Sequence, residues 1–183
     1  MDSLRGQLLI APPHLADPNF SKAVILMVQH DEEGALGLVL NRPTEKSVCD
    51  LWQQVRGREC RRQGHVYVGG PVAGPLMVLH ADLEYPDVEI VDGVFCCTSA
   101  EKVDLMVDRV DPPMRFYVGY SGWGGRQLEM ELQLGSWLTA PALAEHVFHT
   151  PTEDLWQTVF REIADDTSLP PGFAPQPGDP SRN

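Results

Sequence analysis

Between residues 119 and 124 the chain reads Gly-Tyr-Ser-Gly-Trp-Gly, and no other stretch limits the fold so severely. Glycine loses more backbone freedom on folding than any other residue. Three of them beside two large aromatics therefore imply a sharp bend or a close approach of backbones. A second pair, Gly69-Gly70, runs into Pro71 and Val72 after an apolar stretch. It lacks the Gly-Lys-Ser/Thr ending of a phosphate loop, and Pro71 removes an amide donor that such a cradle needs. The pair reads as a turn where two backbones pass closely.

Apolar periodicity supplies the elements. Gln7 to Ala11, Ala23 to His30 and Ala35 to Asn41 are rich in Val, Ile and Leu and are bounded by turn residues, so they read as strands. Further strands are expected at His65 to Val68, Leu76 to His80, Val88 to Val91, Val94 to Thr98 and Met114 to Tyr120. A helix from Val48 to Val55 places Val48, Leu51, Trp52 and Val55 on one face, with Ser47 as its cap. A second helix starts from a capping box of Thr98 and Glu101 and buries Val103, Met106, Val107 and Val110. A third has Thr150 as cap, Pro151 in its first turn and Glu153 closing the box; Leu155, Trp156, Val159, Phe160 and Ile163 form its apolar face. The segment 124–134 is ambiguous. Leu128, Met130, Leu132 and Leu134 alternate as in a strand, but Gly135 suits the end of a helix. Runs of strands with inserted helices indicate an α+β fold.

At 183 residues and 43% hydrophobic, the chain has material for one domain, residues 1–168, followed by a Pro- and Gly-rich tail, 169–183, expected to stay disordered. A net charge of −12 opposes phosphate backbones, so direct nucleic-acid binding is not expected. The only basic run, Arg56 to Arg62, reads as a solvated loop. Residues 1–5 do not lead into an apolar core of the kind a secretory signal needs, and no apolar run approaches the roughly 20 residues that span a bilayer. The four cysteines lack C-x-x-C spacing, and Cys96 and Cys97 would point to opposite faces of a strand. Buried thiols in a cytosolic protein are the expectation.

The glycine-aromatic segment, with Gln127-Leu128-Glu129 after it, His30-Asp31-Glu32-Glu33-Gly34 and Gly37-Leu38-Val39-Leu40-Asn41-Arg42-Pro43, together resemble the YqgE/AlgH family. Gly69-Gly70-Pro71 and Leu79-His80 add to the resemblance, which covers roughly Leu4 to Ile163. It implies a mostly antiparallel, branched sheet curled towards a pseudo-barrel with helices packed outside, and it implies that 124–134 is helical. Where relatives carry Cys-Glu before the histidine of the second strand, this chain has Val28-Gln29 before His30, so a thiol role there does not carry over. The family's link to regulation of transcription is a label rather than a chemistry.

Gly119-Tyr120-Ser121-Gly122-Trp123 approaches the nucleophile elbow G-x-S-x-G but has Trp123 in the fifth position. His30, Asp31, Glu32, Glu33, His65 and His80 are ligand types without metal-site spacing, so neither a metal nor a cofactor is expected. Asn41 and Arg42 offer forked hydrogen bonds to a carboxylate or phosphate, or else tie down a neighbouring loop. Gln127 and Glu131, if their segment is helical, share a face that could meet Asn41 and Arg42, and Trp123 offers an aromatic wall. The candidate binding residues are thus His30, Asn41, Arg42, His80, Trp123, Gln127 and Glu131, with no catalytic residue assigned. A non-catalytic interaction module with a protein or small-molecule partner is the leading expectation. The alternative is a hydrolase-like cleft around His30, Asn41, Arg42, His80 and Glu131.

Overall fold

The computed structural model describes residues 3–165; the tail expected at 169–183 lies outside them. A five-stranded sheet contains β1 (Gln7–Ile10), β2 (Val24–Asp31), β3 (Gly34–Val39), β10 (Ser121–Gly124) and β11 (Leu138–Pro141), in the order β10-β3-β2-β1-β11. A six-stranded sheet contains β4 (Pro43–Ser47), β5 (His65–Val68), β6 (Met77–His80), β7 (Val88–Val91), β8 (Val94–Cys97) and β9 (Met114–Val118), in the order β4-β5-β9-β6-β8-β7. Among the described residues, only β5 and β9 pair in parallel. The helices are α1 (Val48–Arg56), α2 (Ala100–Met106), α3 (Gln127–Gln133), α4 (Ala144–Phe148) and α5 (Leu155–Asp165).

The period-2 alternation of the apolar strands explains the layering, because their two faces feed two cores. Leu8, Ile10, Val24, Leu26 and Leu38 of one sheet meet Met77, Leu79, Cys96 and Tyr117 of the other, and α5 adds Leu155, Val159 and Phe160 to this central core. On the far side of the six-stranded sheet, Val66, Val78, Cys97 and Phe116 are covered by Trp52 of α1 and Met106 of α2. On the far side of the five-stranded sheet, Leu9, Ile25, Met27 and Val39 are covered by Trp123, Trp137 and Leu128 of α3. Cys96 and Cys97 do point to opposite faces. The expected curl towards a barrel is corrected by this arrangement: the strands divide into two open sheets that cover each other's inner face, so neither has to close on itself.

Several local expectations also change. Ser99, rather than Thr98, caps α2 by accepting the Lys102 N–H at 3.3 Å. Val110, expected in the buried stripe, is 80% exposed. Thr150 does not cap the last helix; its hydroxyl donates to the Glu145 carbonyl at 3.2 Å, and α5 begins only at Leu155. Ser47 caps α1 as expected, accepting from the Asp50 N–H at 3.0 Å. The basic run is not a free solvated loop: Arg56 and Arg58 pair with Asp104, Arg58 also pairs with Asp108, and Arg62 is buried. The segment 127–133 is helical, as the family resemblance implied.

The glycines mark where the two sheets are joined. After β9 the chain turns at Gly119, with φ of 69°, and crosses to pair as β10 with β3. Tyr120 and Val72 exchange backbone hydrogen bonds of 3.0 Å at this crossing, and the Val39 N–H reaches the Gly69 carbonyl at 2.9 Å. A Cβ on Gly70 would lie 2.3 Å from both the Tyr120 carbonyl carbon and the Ser121 nitrogen, where no flexible atom can give way. Replacing Gly70 by Ala is therefore expected to lower stability by about 3 kcal/mol in denaturant titrations. Gly93→Ala, whose Cβ meets open space, is expected to lose only about 1 kcal/mol from its positive φ.

Candidate functional site

Helix α3 carries three distinct faces, set by its residue spacing. Leu128 is buried and Leu132 packs with it against the five-stranded sheet. Gln127 and Glu131 make a second face. Arg126, Glu129, Met130 and Gln133 make a third, which lines a cleft of about 810 Å³ together with Ser3, His30, Asp31 and Glu32.

On the second face, Glu131 gathers three donors. Its Oε2 accepts the indole N–H of Trp123 at 2.9 Å and that of Trp137 at 2.8 Å, and its Oε1 accepts the Gln127 amide at 2.9 Å. The Gln127 side-chain oxygen in turn accepts the Gly124 N–H at 3.1 Å. Gln127 and Glu131 do share a face, but it meets Trp123 and Trp137 rather than Asn41 and Arg42 as the sequence suggested. Trp137 was the missed member; its position two residues past Gly135 gave no signal.

His30 sits at the cleft because of a β-bulge. The register between β2 and β3 slips between Met27 and Gln29, which shifts the alternation by one and turns His30 to the side where α3 lies. Its Nε2 lies 3.2 Å from Glu129 Oε1, and its Nδ1 accepts the Leu4 N–H at 3.0 Å. An imidazole accepting at Nδ1 carries its proton on Nε2, which then donates to the carboxylate. A histidine and an acid do therefore stand together beside a large hollow. Both ring nitrogens are engaged, however, and the ring is 5% exposed, leaving no lone pair facing the cleft. As held, the pair staples the N-terminal segment to α3.

The remaining candidates lie elsewhere. Asn41 accepts the Val24 N–H at 3.0 Å and donates to the Lys22 carbonyl at 2.8 Å, while Arg42 donates to the Asn41 carbonyl at 3.1 Å and to that of Ser21. They tie down the loop entering β2 and line a separate hollow with Trp156. His80 is fully buried, stacks on Phe95 at 5.6 Å and accepts the Asp82 N–H at Nδ1. His30, Asn41, Arg42, His80 and Glu131 line no common cleft.

Nucleophiles are equally constrained. Ser121 is fully buried and donates to the Gly69 carbonyl at 3.2 Å. Burial pushes the thiols of Cys97 and Cys60 up to about 11 and that of Cys96 up to about 12, so all three stay protonated at neutral pH. Among the described residues, no three His, Cys, Asp or Glu side chains converge as a metal site.

The fold and site define a two-sheet α+β protein whose third helix presents one polar face to an open cleft and another to a pair of indoles. The chain belongs to the AlgH-like family, whose sequence profile matches residues 8–168. It is 37% identical over 176 residues to a UPF0301 protein of Myxococcus xanthus, covering 92% of this chain and 96% of that one. It is 42% identical over 171 residues to a UPF0301 protein of Xanthomonas campestris, covering 89% and 90%. Among solved structures it resembles the solution structure of the AlgH protein from Pseudomonas aeruginosa, with a TM-score of 0.74 and 31% identity over 92% of this chain and 95% of that one. A crystal structure of a Corynebacterium diphtheriae protein, with a TM-score of 0.72 at 22% identity over 94% and 90%, shares the fold.

Two outcomes follow from this geometry. Glu131→Ala leaves two buried indole donors without an acceptor and is expected to lower stability by about 3 kcal/mol; Glu131→Gln, which keeps one oxygen, is expected to lose roughly 1 kcal/mol. Burial also lowers the proton affinity of His80 below the ordinary histidine value, with Asp82 and Asp87 pulling the other way. Below about pH 6.5 the unfolded chain then binds a proton that the folded chain does not. Stability from this group is full above that pH and falls on acidification, by up to about 1.4 kcal/mol per pH unit. Denaturant titrations at pH 7 and pH 5 should reveal this slope, and His80→Asn, which keeps an acceptor for the Asp82 N–H, should reduce it.

Proposed function

We propose that the protein is a non-catalytic, cytosolic interaction module that holds a segment of a partner protein against α3. The supporting observation is the contrast on that helix. Its Glu129 and the neighbouring His30 are committed to internal bonds, while Met130 and Leu134 stand 61% and 80% exposed at the cleft side and the C-terminal end. Asp31, Glu32 and Glu129 outnumber Arg126 around the cleft, so the fitting partner is a segment with Lys or Arg flanking an apolar side chain. A regulatory effect on transcription would pass through such a partner, since a chain of net charge −12 is repelled by DNA.

The His30–Glu129 pair favours a second reading, a hydrolase-like enzyme in which Glu129 acts at the cleft. That reading requires the Leu4 N–H to release His30 or the carboxylate to act alone.

Selection of a random peptide library on the immobilised protein separates the two. The module predicts enriched peptides carrying basic residues around an apolar one, with binding weakened at least about tenfold by Met130→Asp and unchanged by Leu105→Asp on the exposed side of α2. Failure to enrich such peptides, or indifference to Met130→Asp, contradicts it. Ester or amide hydrolysis abolished by Glu129→Gln would establish the enzyme instead.

A further inference from the structure

The Glu131 face of α3 borders a second hollow, of about 350 Å³, walled by Leu15, Phe20, Trp123 and Trp137 and carrying the carboxyl groups of Asp17 and Glu131. Phe20 and Trp137 meet at 80° with ring centroids 5.5 Å apart, and Trp123 and Trp137 meet at 80° and 6.2 Å. Three aromatic rings therefore form a cornered wall rather than a parallel stack.

The electrostatics of this wall are unusual. Glu131 is fixed by two indole N–H groups and an amide, all of them neutral. Those donors orient the carboxylate without cancelling its charge, and among the described residues no Lys, Arg or His is ion-paired with it. Asp17, exposed at the rim, adds a second negative charge, and among the described residues no basic side chain lines the hollow. Aromatic faces attract cations through their quadrupole, and the attraction grows where water is partly excluded. Carboxylates act in the same direction. An anion is repelled here, and a neutral apolar group gains only contact.

We propose that this hollow is a binding site for an alkylammonium group, such as a lysine or methylated lysine side chain. It lies on a different face of α3 from the acidic cleft and does not depend on what that cleft binds.

Two probes of matching shape test it: Nα-acetyl-Nε-trimethyllysine amide and its neutral isostere, in which a tert-butyl group replaces the trimethylammonium. Binding is read by calorimetry and by the indole N–H resonances of the four tryptophans. The charged probe is expected to bind about tenfold tighter than the neutral one and to shift the Trp123 and Trp137 signals while leaving Trp52 unmoved. Phe20→Leu and Glu131→Gln should each weaken it roughly fivefold; Met130→Asp should leave it unchanged, which separates this site from the partner cleft. Equal affinity for the two probes, no saturable binding of either, or indifference to Phe20→Leu overturns the proposal. Should Glu131→Gln unfold, the Phe20→Leu result and the probe comparison decide.

Discussion

Everything else in this protein depends on the crossing where Gly119-Tyr120 passes Gly69-Gly70. At that point backbones approach so closely that a single methyl group on Gly69 would lie 2.4 Å from the Gly119 carbonyl oxygen. The crossing lets the chain finish β9 in one sheet and begin β10 in the other within two residues. It thereby locks the sheets face to face across the central core. It also sets Trp123 on the outer face of the five-stranded sheet, where Glu131 of the next helix can collect its N–H. Without the close approach there is neither a shared core nor the aromatic corner.

The polar groups follow a common pattern that bears on function. His30, His80 and His146 each accept a backbone N–H at Nδ1, from Leu4, Asp82 and Leu143. His30 and His146 then place Nε2 beside a glutamate, Glu129 and Glu162, at 3.2 and 3.1 Å. A general base needs a lone pair directed at substrate, and these rings use theirs on the backbone. The repetition of one bonding scheme at two unrelated places favours a fastening role for His30, even though a hollow adjoins it.

Much of this was legible in the sequence where burial was two-sided or strictly periodic. The strands of the central core other than β11, together with α1 and its Ser47 cap, could be read directly. Elements held by pairing alone could not: β10 is half glycine, β4 is a polar stretch led by Pro43, and α4 is barely more than one turn. The alternation at Leu128, Met130, Leu132 and Leu134 left strand and helix open because it also satisfies a helix with two apolar sides. Leu128 and Leu132 face the core, and Met130 and Leu134 face outward. Among the candidate residues, the shared face of Gln127 and Glu131 was readable from their spacing, but that it would hold Trp123 rather than meet Asn41 and Arg42 was not. The His30–Glu129 pair spans 99 residues and depends on a bulge that no composition rule foretells.

The crossing is tested most directly by native-state hydrogen exchange at the amides of Val39, Gly69, Val72 and Tyr120, which bond across it. If it joins the sheets as described, these amides exchange only through global unfolding, with an opening free energy equal to that from denaturant titration. Exchange through local opening several kcal/mol below the global value, with the strand interiors still protected, would contradict it.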